Sequence, residues 1–162
     1  MENKRIMVKI SAITVIAFIL IFSTSNISNS QFLSSYNLNQ CFIDAGKVYN
    51  IHPNLLWAIA KVESNFNYTA INKNNNGTYD IGIMQINTSW LPALKKHGLY
   101  DERQIWNPCY NIHVGAWILA QCIHQHGYSW EAVGCYNAVS KPKRARYSRK
   151  VWKVLEPYVS GN

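Results

Sequence analysis

The chain has 162 residues, 48% of them hydrophobic, and carries 16 Lys and Arg against 8 Asp and Glu for a formal charge of +8. At that length the chain reads as one domain, long enough for a sizeable core. The excess of positive charge suits an anionic partner.

At the N-terminus, Lys4, Arg5 and Lys9 precede the apolar run Ile10 to Phe22, and a small, polar stretch from Ser23 to Ser30 follows. Basic, then apolar, then small is the order of a cleaved secretory signal. The apolar run is too short for a comfortable membrane span. Residues 1–30 therefore read as a signal peptide, with cleavage after Ser25 or Ser30, and residues 31–162 as the mature domain with no stable membrane span. Without Lys4, Arg5, Lys9 and Glu2, 13 basic residues remain against 7 acidic ones. Export removes nucleic acid as a partner and leaves anionic lipid or cell-wall polymer. The basic residues concentrate at Lys141, Lys143, Arg144, Arg146, Arg149, Lys150 and Lys153; a solvated tail is the plain alternative for that cluster.

Leu38, Cys41, Phe42, Ala45, Val48 and Tyr49 recur at helical spacing and predict a first helix. Pro53 to Ser64 predicts a second, with Pro53 at the first helical position and Leu55, Leu56, Ile59 and Ala60 on one face. At roughly 100° per residue, Glu63 falls on that same apolar face. A carboxyl held against apolar groups loses hydration, so its pKa rises. The neutral acid that results is what a general acid must be. The plain alternative is a Glu at a fraying helix end, open to water.

Asn65 to Tyr79 is rich in Asn, and Asn76-Gly77 is its strongest turn signal, so a hairpin or small irregular sheet is expected. Within it, Asn72-x-Asn74-x-Asn76-Gly77 mimics half of a calcium loop. The acidic first ligand is missing, and Ile83 stands where a bidentate Glu belongs, so no metal is expected. Gly82 to Asn87 is an apolar run with Gln85 embedded in it. A helix from Ser89 to His97, ending at Gly98, comes next. Pro108 opens another, apolar almost all round through Ile112, Ala116, Leu119 and Ile123, which predicts a central position. Ser129 caps a further helix, with Glu131 in its first turn and Tyr136-Asn137 near its end. Tyr147, Val151, Val154 and Leu155 form the stripe of a last helix. The total is an α+β chain, mostly α.

Cys41, Cys109, Cys122 and Cys135 all lie in the exported part. Four cysteines in an oxidising compartment suggest two disulfides, with three connectivities open. No C-x-x-C spacing is present, and His124-x-His126 reads as a surface pair rather than a metal site.

The ordered set Glu63-Ser64, Gly82-Ile83-Met84-Gln85-Ile86-Asn87 and Tyr136-Asn137 resembles the lytic transglycosylase (SLT) domain of bacterial cell-wall enzymes. The resemblance runs from about Cys41 to Tyr158. Asn107-Pro108-Cys109 and Trp130-Glu131-Ala132-Val133-Gly134 are similar to steps in the small exported members that accompany type III secretion, type IV secretion and type IV pilus systems. The resemblance implies a lysozyme-like fold with a small sheet beside the active-site cleft. It implies Glu63 as the catalytic acid and Ser64 as its orienting neighbour. Met84, Gln85 and Asn87 would line the cleft, the Tyr136 hydroxyl would approach the catalytic carboxyl, and Asn137 would face substrate. It also implies a Cys41–Cys109 disulfide, with Cys122 and Cys135 as the remaining pair. Cys135 departs from the family pattern, which usually has Ala there.

The implied reaction breaks the MurNAc–GlcNAc β-1,4 bond of peptidoglycan glycan strands in the periplasm and closes a 1,6-anhydromuramyl product. It needs no cofactor, and a monomer suffices. Components of a secretion or pilus system are the further partners implied. Asp80 is the single candidate for a second carboxylate near the Gly82 run, and Asn87 stands where goose-type lysozymes carry Asp. A hydrolytic muramidase using Glu63 with water, and a non-catalytic wall-binding assembly protein, are the competing readings.

Overall fold

The structure is a computed structural model that describes residues 38–159. The stretch assigned to export lies outside the described residues. Helix α1 runs from residue 38 to 49 and buries Cys41, Phe42 and Ala45. Helix α2 (Pro53–Ser64) starts where His52 Nδ1 accepts the Asn54 N–H, with Pro53 in the first turn. It buries Leu55, Leu56, Ala58, Ile59 and Ala60, the face expected from periodicity. It stops at Asn65, whose left-handed backbone returns an N–H to the Lys61 carbonyl.

Strands β1 (Ile71–Lys73) and β2 (Tyr79–Ile81) form the antiparallel hairpin that the Asn-Gly turn predicts, with Asn72 opposite Asp80. Strand β3 (Ile86–Asn87) adds antiparallel to β2, placing Asn87 opposite Asp80 and completing a three-stranded sheet. The helix expected from Ser89 to His97 is divided. Thr88–Trp90 is a 3₁₀ turn capped by Asn87, and helix α3 covers only Leu91–Lys96. Pro92 explains the division: it has no N–H to give a preceding carbonyl, so it sits in a first turn rather than inside a longer helix.

Helix α4 (Pro108–His126) opens on Asn107, whose side chain accepts the Cys109 and Tyr110 N–H groups. Ile112, Ala116, Ile118 and Leu119 are all at most 2% exposed, so α4 is the central helix that its all-round apolarity predicts. Helices α5 (Trp130–Asn137, capped by Ser129) and α6 (Lys141–Leu155) complete the domain. Tyr147, Val151 and Leu155 of α6 are buried. Disulfides join Cys41 of α1 to Cys109 at the start of α4, and Cys122 of α4 to Cys135 of α5. Among the described residues, no helix is long and apolar enough to cross a membrane.

Candidate active site

Glu63 sits one residue from the C-terminal end of α2 and lines a cleft of about 850 Å³. The helix end does not fray into water. Ser64 Oγ donates to the Ile83 carbonyl at 2.8 Å and so fastens α2 to the Gly82–Asn87 turn. Tyr147 of α6, 84 residues away, donates its hydroxyl to Glu63 Oε1 at 2.5 Å. Burial pushes the Glu63 carboxyl up from 4.5 to about 7; the Tyr147 hydrogen bond pulls it down, the Asp80 charge adds to the rise, and Lys150 opposes it. Desolvation wins because a carboxylate among apolar groups loses far more hydration than one hydroxyl restores. Burial and the nearby Glu63 charge hold the Tyr147 phenol well above its ordinary value. Tyr147 therefore stays neutral and donates.

The Gly82–Asn87 turn forms the floor. Gly82 has φ of +77°, and a Cβ there would lie 2.4 Å from Asn111 Nδ2, so both conformation and space require glycine. Asn111, buried in α4, accepts the Met84 N–H at 2.8 Å and donates to the Ile81 and Ile105 carbonyls. Gly115, one turn further along α4, lets Met84 pack directly on the helix; an added Cβ would meet Met84 Cε at 2.8 Å. Gln85 adopts a positive φ of 48° and donates its amide to the Gly82 carbonyl at 2.8 Å, while its Oε1 accepts from Asn72 of β1.

The turn places the expected residues differently from one another. Gln85, Ile86, Asn87, Tyr136 and Asn137 line the cleft with Glu63. Met84 does not: it is fully buried beneath the floor. Ser64 likewise works from behind the wall. The Tyr136 hydroxyl lies near enough to Glu63 that burial first, and then that charge, raise its pKa, but it donates to the Met84 carbonyl at 2.8 Å, and Tyr147 makes the hydrogen bond to Glu63. The physical reason is that Met84 lies in a turn whose carbonyl has no ladder partner, so the Tyr136 phenol satisfies it. The two phenol rings stack with centroids 6.5 Å apart. Asp80 also lines the cleft, but its two oxygens are engaged by the Asn87 amide at 2.6 Å and the Asn74 amide at 3.0 Å. Asn137 is exposed, and among the described residues its side chain makes no hydrogen bond to protein.

Sequence reasoning missed Tyr147 and Asn111. Tyr147 reads as one more apolar residue in the α6 stripe. Asn111 did leave a signal: it is an amide beside Ile112, one turn before Gly115 and on the face continued by Ile118 and Cys122, and a buried amide must find partners.

A half-buried carboxyl with a raised pKa, one phenol donor and an open polar cleft form an arrangement able to deliver a proton to a bound polar molecule. The pattern of the Transglycosylase SLT domain family matches residues 40–155. Invasion protein IagB from Salmonella typhimurium is 44% identical over 117 residues, covering 70% of this chain and 73% of that protein. Protein IpgF from Shigella flexneri is 43% identical over 117 residues, covering 70% and 77%. A peptidoglycan-binding-like protein from Escherichia coli O157:H7 is 40% identical over 150 residues, covering 86% and 88%. The fold is similar to that of an inactive mutant of lytic transglycosylase Slt from Pseudomonas aeruginosa, with a TM-score of 0.60 at 21% identity; the match covers 75% of this chain and 24% of that one. The chain belongs to the Transglycosylase SLT domain family.

Proposed function

We propose that this protein is a periplasmic peptidoglycan lytic transglycosylase that cuts glycan strands at the MurNAc–GlcNAc β-1,4 bond. The observation that carries this reading is Glu63: a carboxyl in the cleft, raised to about 7 by burial and held by one hydroxyl. Tyr147 donates to Oε1, which makes Oε1 the carbonyl-like oxygen and assigns the acidic proton to Oε2. Glu63 delivers that proton to the leaving glycosidic oxygen, and the substrate's N-acetyl group assists at the anomeric carbon. The carboxylate then takes the proton from the C6 hydroxyl of the same sugar, and the ring closes as a 1,6-anhydro product. One residue acts as acid and then as base by microscopic reversibility. The C6 hydroxyl is tethered to the reacting centre, so its effective concentration can exceed that of water.

Asp80 is held by one amide on each oxygen, from Asn87 and Asn74, each oxygen keeps a second acceptor site, and the product of digestion decides between this route and hydrolysis. Asn137 offers its free amide to the sugar. Opening the wall for a secretion or pilus apparatus is the physiological role that the resemblance implies. The test is the mass of muropeptides released from purified sacculi: anhydro products, lighter by one water, are expected. Reducing-end muramic acid as the main product would make the protein a muramidase, and no release at all would favour a wall-binding role.

A further inference from the structure

The far ends of the helices that build the cleft build a second surface. Leu55, about 12 Å along α2 from Glu63 at 1.5 Å per residue, lines an apolar hole of about 290 Å³ with Val133 of α5, Leu155 of α6 and the exposed Tyr128, Trp130 and Val159. Its wall carries three polar side chains, and two positions on them remain open among the described residues: the Tyr128 O–H and His52 Nε2. The Tyr128 hydroxyl accepts the His52 N–H at 3.2 Å, and His52 Nδ1 accepts from Asn54. Ser129 Oγ donates to the His126 carbonyl and accepts the Ala132 N–H. Two open positions are few for a sugar, which carries a hydroxyl on most of its carbons. An apolar side chain fits, and a hole of this volume holds one large one.

The hole does not stand alone. On one side it shares His52 and Tyr128 with a hollow of about 510 Å³ that carries Lys47. On the other it shares Trp130 with a hollow of about 430 Å³ that carries Arg149 and Trp152. Trp130 and Trp152 meet edge to face at 5.4 Å on the wall of the Arg149 hollow, which holds Trp130 where the apolar hole and that hollow meet. The one acid in the trough, Glu131, is paired with Arg144 at 2.9 Å. Lys47 and Arg149 are exposed and make no ion pair among the described residues. The sequence of the trough is therefore cation, apolar hole, cation. Concavity argues against a bilayer, which takes convex apolar ridges, and for a shaped protein side chain.

We infer that this trough docks a segment of a partner protein in which one large apolar residue is flanked on both sides by carboxylates. It shares no lining residue with the cleft, so the enzyme can hold partner and glycan together. Displayed random 15-residue peptides selected against the disulfide-intact mature protein provide the probe. The expected winners carry Trp, Phe or Leu between Asp or Glu residues and bind one to one by calorimetry. Lys47→Glu and Arg149→Glu should each weaken them about 3- to 10-fold, and Trp130→Ala by about 10-fold or more. Tyr128→Ala serves if Trp130→Ala does not fold. Glu63→Gln should leave peptide affinity unchanged, so this inference and the catalytic reading fail separately. Winners without the acidic flanks, or affinity indifferent to both charge reversals, would overturn it. So would phosphatidylglycerol vesicles, chito-oligosaccharides or a second copy of the chain occupying the trough with the same sensitivity to Arg149→Glu.

Discussion

Replacing Glu63 by Gln separates the chemistry of this carboxyl from its energetics. Gln keeps the shape and can still accept the Tyr147 hydroxyl, but it cannot deliver and recover a proton. Activity on sacculi should fall on the order of 10²- to 10⁴-fold, the usual contribution of a general acid. Stability should move the other way, with a definite pH dependence. Below pH 4.5, Glu63 is protonated folded and unfolded, and the variant gains nothing. Between 4.5 and about 7 the folded protein keeps a proton that the unfolded chain gives up, so wild-type stability falls as pH rises. Above 7 the whole penalty is present. At about 1.36 kcal/mol per pH unit, the interval from 4.5 to about 7 amounts to about 3 kcal/mol. In a domain of this size that raises Tm on the order of 10 °C. Calorimetric melts of wild type and variant at pH 4, 6 and 8 supply the check, run beside a muropeptide digest. A Tm difference that is flat across pH would refute the desolvated carboxyl, and near wild-type digestion would remove Glu63 from the mechanism.

Tyr147→Phe removes the hydroxyl that pulls the Glu63 pKa down, so the alkaline fall in rate should move to higher pH while kcat drops roughly tenfold; an unchanged pH profile would reduce Tyr147 to packing. Asp80→Asn removes a charge that raises Glu63, so the same fall should move to lower pH, with most activity and the anhydro product retained by mass spectrometry. A switch of product on that substitution would make Asp80 a base. Cys41→Ser with Cys109→Ser opens a loop spanning 68 residues and should destabilise by about 4 kcal/mol in denaturant titrations. Cys122→Ser with Cys135→Ser opens a loop spanning 13 and should cost about 3 kcal/mol; the reverse ranking would show that loop entropy does not govern these bridges.

The sequence by itself determined what depends on neighbours along the chain. The apolar face of α2 and the place of Glu63 on it follow from 3.6-residue spacing. The hairpin follows from Asn76-Gly77, the helix starts from Pro53, Pro108 and Ser129, and the central position of α4 from its all-round apolarity. Those signals are local because the hydrogen bonds that enforce them are local. The tertiary structure decided which groups meet across long separations. Periodicity marks Tyr147 as buried but cannot say that α6 lies against α2 with the phenol on Glu63, 84 residues away. It marks Met84 and Tyr136 as apolar positions, yet packing alone put Met84 under the floor and turned the Tyr136 hydroxyl to the Met84 carbonyl. The pKa of Glu63 belongs to the same class. A helix face proposes that the carboxyl is desolvated; the degree is set by every element that closes over it, and by where Asp80 and Lys150 come to rest.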